Sequence, residues 1–155
     1  MFRVGADSVA EYFRFDPSRR GELQKLDAVI RRAAPNLKRF FHPGTPKGQP
    51  GMRLKMIGYG RFHYTGKTGR TIEWPVIGVA LQKNYISVYV SLTRNGRPLV
   101  AQYAARLSAL KVSRYTFTFE NFGALNAKAV QLLFRDVGAL VLGDPQNPVR
   151  CKEGS

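Results

Sequence analysis

Cysteine is nearly absent from this chain, in which Cys151 is the one example among 155 residues. A single thiol forms no internal disulfide, so the fold must depend on burying apolar side chains. We interpret Cys151 as a free thiol in a tail, because Pro145 and Pro148 precede it. A catalytic thiol needs a base nearby, and neither His42 nor His63 lies in a sequence context that suggests this role.

Acidic residues are also scarce. The chain has 10 of them against 25 Lys and Arg, which gives a formal net charge of +15, and Glu73 is the only acid between Asp27 and Glu120. A field of one sign attracts polyanions, so nucleic acid and acidic protein surfaces are the candidate partners. The alternative is a charged surface that only keeps the protein soluble, and net charge alone does not separate the two.

Long apolar runs are missing. A membrane helix needs about 20 apolar residues, and Arg135 and Asp136 interrupt the longest candidate, residues 132–142. Residues 1–10 contain charges and lack the apolar stretch of a signal peptide. We therefore expect a cytoplasmic protein that does not associate with a membrane.

Catalytic and metal-binding motifs are absent from the sequence. His42, His63 and Cys151 have no metal-ligand spacing. The chain has no nucleophile elbow, and Gly58-Tyr59-Gly60 lacks the further glycine and lysine of a phosphate loop. We therefore predict a binding protein rather than an enzyme, with no catalytic residue, no metal ligand and no cofactor.

Apolar residues make up 44% of the chain, which supports a packed core, and the length fits one domain. We predict a single domain over residues 1–142 and a flexible tail over residues 143–155. Helical spacing and capping residues predict helices over 8–15, 16–34, 99–107 and 126–142. Proline and glycine predict a loop over 35–51, and alternation predicts strands over 52–56, 61–64, 70–74, 76–81, 85–92 and 115–119. The order is typical of an α+β fold, with an antiparallel or mixed sheet of about five strands packed with N-terminal and C-terminal helices.

Glycine and aromatic patterns in the predicted sheet resemble the YdhG-like family. The segments that carry the resemblance are Met56-Ile57-Gly58-Tyr59-Gly60, His63-Tyr64, Trp74-Pro75-Val76-Ile77-Gly78-Val79-Ala80 and Gln82-Lys83-Asn84. It extends over roughly residues 8–142 and includes Lys111-Val112-Ser113-Arg114, where the family more often has a glycine. The resemblance implies the α+β fold. Most members are described only as a domain of unknown function, and some as frataxin-like iron chaperones.

An iron chaperone needs carboxylate oxygens, because loosely held iron prefers oxygen ligands. Few carboxylates are available here, and Glu11 and Glu22 do not share a repeating ligand spacing. The iron role is therefore the least favoured of the functions considered.

Two binding surfaces remain as hypotheses. The first is a small-ligand pocket near the sheet, with aromatic walls and polar tips; the alternative is that these aromatic residues belong to the core. Its candidate residues are Tyr59, Arg61, His63, Tyr64, Glu73 and Trp74.

The second hypothesis is an anion-binding sheet face. Arg53 and Lys55 would share this face with the row Tyr85, Ser87 and Tyr89, so that charges meet phosphates and rings meet bases. The anion-binding candidates are Arg53, Lys55, Lys111 and Arg114. Nucleic-acid binding is thus the alternative to binding a small or anionic ligand or a protein partner.

Overall fold

The computed structural model describes residues 2–149 of the chain. Within this range it has four α-helices, two short 3-10 helices and eight strands. The helices are α1 (Val9–Phe15), α2 (Arg20–Ala33), α3 (Ala104–Leu107) and α4 (Ala127–Gly143), and the 3-10 turns are Val100–Tyr103 and Phe122–Ala124. The strands are β1 (Arg39–His42), β2 (Met56–Thr65), β3 (Thr71–Leu81), β4 (Ile86–Val90), β5 (Thr93–Arg94), β6 (Arg97–Pro98), β7 (Lys111–Val112) and β8 (Thr116–Phe119).

Capping side chains fix where the first and last helices begin. The Ser8 hydroxyl accepts a hydrogen bond from the Glu11 N–H at 3.1 Å, and the Asn126 side chain accepts one from the Ala129 N–H at 3.0 Å. Both satisfy amide groups that have no partner inside the helix. The predicted starts of α1 and α4 are confirmed. By contrast, α2 begins later than residue 16, because the Asp16 carboxylate accepts hydrogen bonds from Ser18 and so forms a separate turn.

Six of the described strands form one sheet in the order β1-β2-β3-β4-β8-β7, and every neighbouring pair is antiparallel. Strands β5 and β6 form a separate small ribbon. With helices at both ends of the chain, this confirms the predicted α+β fold. The sheet has strand β7 at one edge, in a segment for which the sequence analysis predicts no strand.

The other edge strand, β1, corrects the prediction of an uninterrupted loop over residues 35–51. It pairs with the first residues of β2, Arg39 opposite Tyr59 and His42 opposite Met56. The predicted strand over residues 52–56 is also wrong, since β2 begins only at Met56. Lys55 is instead held by the N-terminal segment, because its Nζ donates to the Ala6 carbonyl at 2.7 Å.

The main core lies between the sheet and the helices. Alternate residues of the central strands, such as Ile77, Val88 and Phe117, are fully buried against Leu26 of α2 and Val130 of α4. Burial of this kind supplies most of the free energy that stabilises a domain of this size. Among residues 2–149, no helix is both long enough and apolar enough to cross a membrane.

A second, smaller cluster combines intervening residues of the sheet with Met52, which precedes β2. Met52, Met56, Trp74 and Ala80 are buried in it. Gly58 and Gly78 leave space for neighbouring side chains on this face of the sheet. A Cβ on Gly58 would lie 2.4 Å from the Phe40 ring, and a Cβ on Gly78 would lie 2.4 Å from the Met56 sulfur. The side chains of Phe40 and Met56 therefore cover the sheet where glycine leaves space.

Beyond α4 the chain is attached to the end of the sheet. The Asn147 side chain donates to the Thr93 carbonyl at 2.8 Å and accepts from the Thr93 N–H at 3.0 Å, and the Val149 N–H donates to the Ser91 carbonyl at 2.9 Å. The segment predicted to be a flexible tail is thus hydrogen-bonded through Val149. Cys151 lies outside the described residues.

We expect Gly58→Ala to lower the free energy of unfolding by about 1–3 kcal/mol, because the new methyl group meets the Phe40 ring. Urea denaturation followed by circular dichroism measures the change. Gly21→Ala is the control for an added methyl group: apart from its chain neighbours and its own helix backbone no described atom lies within 4 Å of the added Cβ, so helix propensity should make the change neutral or stabilising. In a Phe40→Leu background Gly58→Ala should cost less; an equal cost in both backgrounds would contradict the steric explanation.

Candidate functional site

The six residues of the predicted small-ligand pocket occupy three different places. Tyr59 is buried in the main core, where its hydroxyl donates to Asp27 Oδ1 at 2.6 Å. Tyr64 and Trp74 meet edge to face in the smaller cluster, with their ring centroids 5.9 Å apart. Tyr59 therefore does not share a pocket wall with those two aromatic residues.

The polar members of the same set do come together at the surface. Arg61 Nη1 lies 3.5 Å and His63 Nε2 lies 3.8 Å from Glu73 Oε2. The Arg61 guanidinium also lies 4.1 Å from the centre of the Phe40 ring. These side chains are partly exposed and the charge pairs are long, so they stabilise the fold only weakly.

The four predicted anion-binding residues are dispersed. Arg53 and Lys55 precede β2, so they do not extend the row formed by Tyr85, Ser87 and Tyr89, and Lys55 Nζ is occupied by Ala6 and by Asp7 at 3.2 Å. The other two candidates lie at the opposite edge of the sheet. These are Lys111, in the edge strand β7, and Arg114, which follows it with its guanidinium 5.9 Å from the Tyr115 ring.

Basic residues that the sequence analysis did not select surround two open clefts along α2. One cleft, of about 700 Å³, lies between α2 and the segment leading into β1. The other, of about 590 Å³, lies between α1 and α2. Both are lined by Asp27 and Arg39, so they adjoin. We call the pair the basic clefts; their described basic residues are Arg14, Arg20, Arg31, Arg32, Lys38 and Arg39.

Asp27 is the one acid among the described residues that line the basic clefts, and its partners explain why it is there. It accepts from the Tyr59 hydroxyl at 2.6 Å and from Arg39 Nη1 at 3.0 Å, while Arg31 Nη1 lies 3.7 Å away. Burial, with Asp27 as the second cause, raises the pKa of Tyr59 well above its ordinary value. Tyr59 therefore remains a neutral donor to this carboxylate at physiological pH.

Part of this site could be predicted from the sequence. Arg20, Asp27 and Arg31 follow one another at helical spacing, so α2 carries them on one face. The place of Arg39 in the site could not be predicted in the same way, because its strand lies in a stretch rich in proline and glycine. Only the pairing of β1 with β2 brings Arg39 to Asp27.

His42, the last residue of β1, is a second buried polar group. Its side chain is only 4% exposed, and Nε2 lies 2.9 Å from the Met52 carbonyl oxygen. Burial lowers the pKa of His42 below its ordinary value, because the charged ring would be poorly solvated. The imidazole is therefore neutral at pH 7.

Over residues 2–149 no three His, Cys, Asp or Glu side chains approach closely enough to hold a metal ion. A scan against protein-family models, a search of curated proteins and a search of solved structures each return no match. Membership of the YdhG-like family therefore stays a prediction, and the function must be argued from the site.

We expect the free energy of unfolding to fall as the pH is lowered from about 7.5 to about 5.5. The pKa of His42 in the folded state is lower than its ordinary value of 6.5. As the pH falls through this ordinary value, the unfolded chain therefore binds a proton at His42 before the folded protein does, and the unfolded state is stabilised. Urea denaturation at several pH values measures this dependence. His42→Phe should flatten it, and His63→Gln, at an exposed position, is the matched control. Equal slopes for the wild type and His42→Phe would contradict the assignment.

Proposed function

We propose that this protein binds duplex nucleic acid by its phosphate backbone, through the basic clefts, without reading base sequence. The observation that carries the proposal is the placement of six described basic side chains around two adjoining clefts whose only described acid is Asp27. That acid already accepts from Arg39 and Tyr59, so it repels an approaching phosphate less than a free carboxylate would.

The length of the charged face suits a phosphate backbone. Arg20 and Arg31 lie on the same face of α2 and are separated by about 16 Å along its axis, at 1.5 Å per residue. One strand of B-DNA rises by 3.4 Å per phosphate along the duplex axis, so this distance matches the axial rise of about five nucleotides, of which the face meets those phosphates that point towards it. Arg14 from α1 and Lys38 before β1 widen the charged face on its two sides.

A duplex suits the basic clefts better than a single strand. Recognition of single strands depends on aromatic rings on which bases stack. Of the described cleft residues only Phe13 has such a ring, and the Arg39 guanidinium lies 5.7 Å from its centre. Charge without a stacking platform favours contacts with phosphate and sugar. A cytoplasmic location, as the sequence leads us to expect, would give access to RNA duplexes.

The triple variant Arg31→Ala, Arg32→Ala, Lys38→Ala should weaken duplex binding at least about tenfold. Each lost phosphate contact lowers the slope of log K against log salt by about 0.9, so the slope should fall by roughly 2–3. Fluorescence anisotropy of a labelled duplex, titrated at several salt concentrations, measures both quantities.

A second triple variant, Arg53→Ala, Lys111→Ala, Arg114→Ala, is the matched control, because it removes the same charge from the residues that the sequence analysis favoured. It should keep most of the affinity and the slope. Equal losses in the two variants would show that net charge, and not the basic clefts, attracts the ligand. Absence of duplex binding at moderate salt, or tighter binding of a single strand of the same sequence, would refute the proposal.

A further inference from the structure

The connection between β1 and β2 folds back over the start of β3 and borders a small cavity that is open to solvent on one side. Its volume is about 360 Å³, and its lining includes His42, Thr45, Ile72 and Glu73. This volume lies at the lower end of the range for small-molecule sites. None of these four residues lines the basic clefts, so the cavity is a separate feature of the fold.

The Met52 carbonyl holds this connection closed and also fixes the tautomer of His42. It accepts from the Thr45 N–H at 2.9 Å and lies 2.9 Å from His42 Nε2. A carbonyl oxygen only accepts hydrogen bonds, so Nε2 carries the hydrogen of the neutral ring. Nδ1 of His42 is therefore an acceptor with a free lone pair.

Two buried polar atoms beside the cavity have no hydrogen-bond partner within the described residues. They are His42 Nδ1 and Thr45 Oγ1, and both belong to residues of the cavity wall. A buried acceptor that lacks a donor is unfavourable, and most such groups in folded proteins are paired. A bound molecule that supplies a donor at this cavity wall would therefore be stabilised by pairing with them.

The surroundings restrict the charge of such a ligand. The Glu73 carboxylate lies 3.5 Å from Arg61 and 3.8 Å from His63, and Arg70 also lines the cavity, so the wall carries charges of both signs. Ile72 and the ring of Pro43 give the cavity apolar walls. An uncharged molecule with one flat apolar part and an N–H group matches these features better than an ion does.

We propose that this cavity binds a small, uncharged molecule whose N–H group donates to His42 Nδ1, such as a carboxamide or a nitrogen heterocycle. Thr45 Oγ1, which can donate or accept, pairs with the same polar group of the ligand. Both polar atoms are buried in this structure, so the ligand reaches them when the connection moves outward. Gly44, Gly48 and Gly51 have φ values of 77°, 84° and 132°, a backbone region open mainly to glycine, and they are the points at which the connection turns.

The proposal is tested by titrating the full-length, ¹⁵N-labelled protein with benzamide and recording the ring nitrogen resonances of both histidines by long-range ¹H–¹⁵N correlation. Methyl benzoate is the matched probe, because it has nearly the same shape and lacks the N–H donor. We expect benzamide to shift the His42 Nδ1 resonance in a saturable manner and to leave His63 nearly unchanged. Methyl benzoate should bind about tenfold more weakly, a factor that corresponds to ~1.4 kcal/mol.

Variants separate the hydrogen bonds from the fold. His42→Phe keeps a ring and should weaken benzamide binding about tenfold, and Thr45→Val, which keeps the side-chain shape, should weaken it about threefold. If His42→Phe fails to fold, Thr45→Val still tests the site. The triple variant of the basic clefts should bind benzamide as the wild type does, so failure of one proposal is distinguishable from failure of the other.

Three results would overturn the proposal. The first is equal affinity for benzamide and methyl benzoate, and the second is no response of His42 Nδ1 up to the solubility limit of benzamide. The third is a shift of His42 Nδ1 by Zn²⁺ alone that benzamide does not reproduce, because the lone pair would then belong to a metal site.

Discussion

The contact of Asp27 with Tyr59, which is buried, and with Arg39, which is partly exposed, joins the helical layer of this protein to its sheet. Asp27 lies on α2, Tyr59 on β2 and Arg39 on β1, so one carboxylate holds three elements together. Removing the Tyr59 hydroxyl would leave the buried carboxylate short of a donor, which commonly costs about 1–3 kcal/mol. The partly exposed Arg39 adds less, because solvent screens its charge. The position of α2 on the sheet, and with it the shape of the basic clefts, depends on this contact.

The same contact accounts for the tolerance of so much positive charge on one side. Arg31 and Arg39 both lie within 4 Å of the Asp27 carboxylate, and their mutual repulsion is thereby reduced. Arg32 and Lys38 extend the charge at the periphery of the cleft, where solvent screens it. A single acid at the centre thus allows the surrounding cations to be packed closely enough to act on one anion.

The parts of the fold that follow a regular period could be predicted from the sequence. Strand β4 and helix α4 have apolar residues at a regular period, and Ser8 and Asn126 mark helix starts because their side chains accept hydrogen bonds from helix N–H groups. The alternation of apolar and basic residues over 52–56 wrongly predicted a strand. This segment is held by a hydrogen bond from Lys55 Nζ to the carbonyl of Ala6 in the N-terminal segment. Local periodicity does not reveal a contact between residues about fifty positions apart.

The candidate sites were harder to predict, because both depend on β1. This edge strand has four residues and is flanked by prolines, so its local sequence indicates a loop. Its pairing with β2 is favoured by two non-local contacts: Phe40 lies over Gly58, and Phe41 packs near Tyr12 with ring centroids 6.4 Å apart.

Pairing then places the two ends of β1 in different surroundings. Arg39, at its start, lines the basic clefts, and His42, at its end, lines the small cavity. The two residues are only about 10 Å apart at the rise of an extended strand. A ligand that alters the position of β1 in the cavity would therefore also move the arginine that binds Asp27. The short edge strand is the physical link between the two surfaces for which we propose ligands.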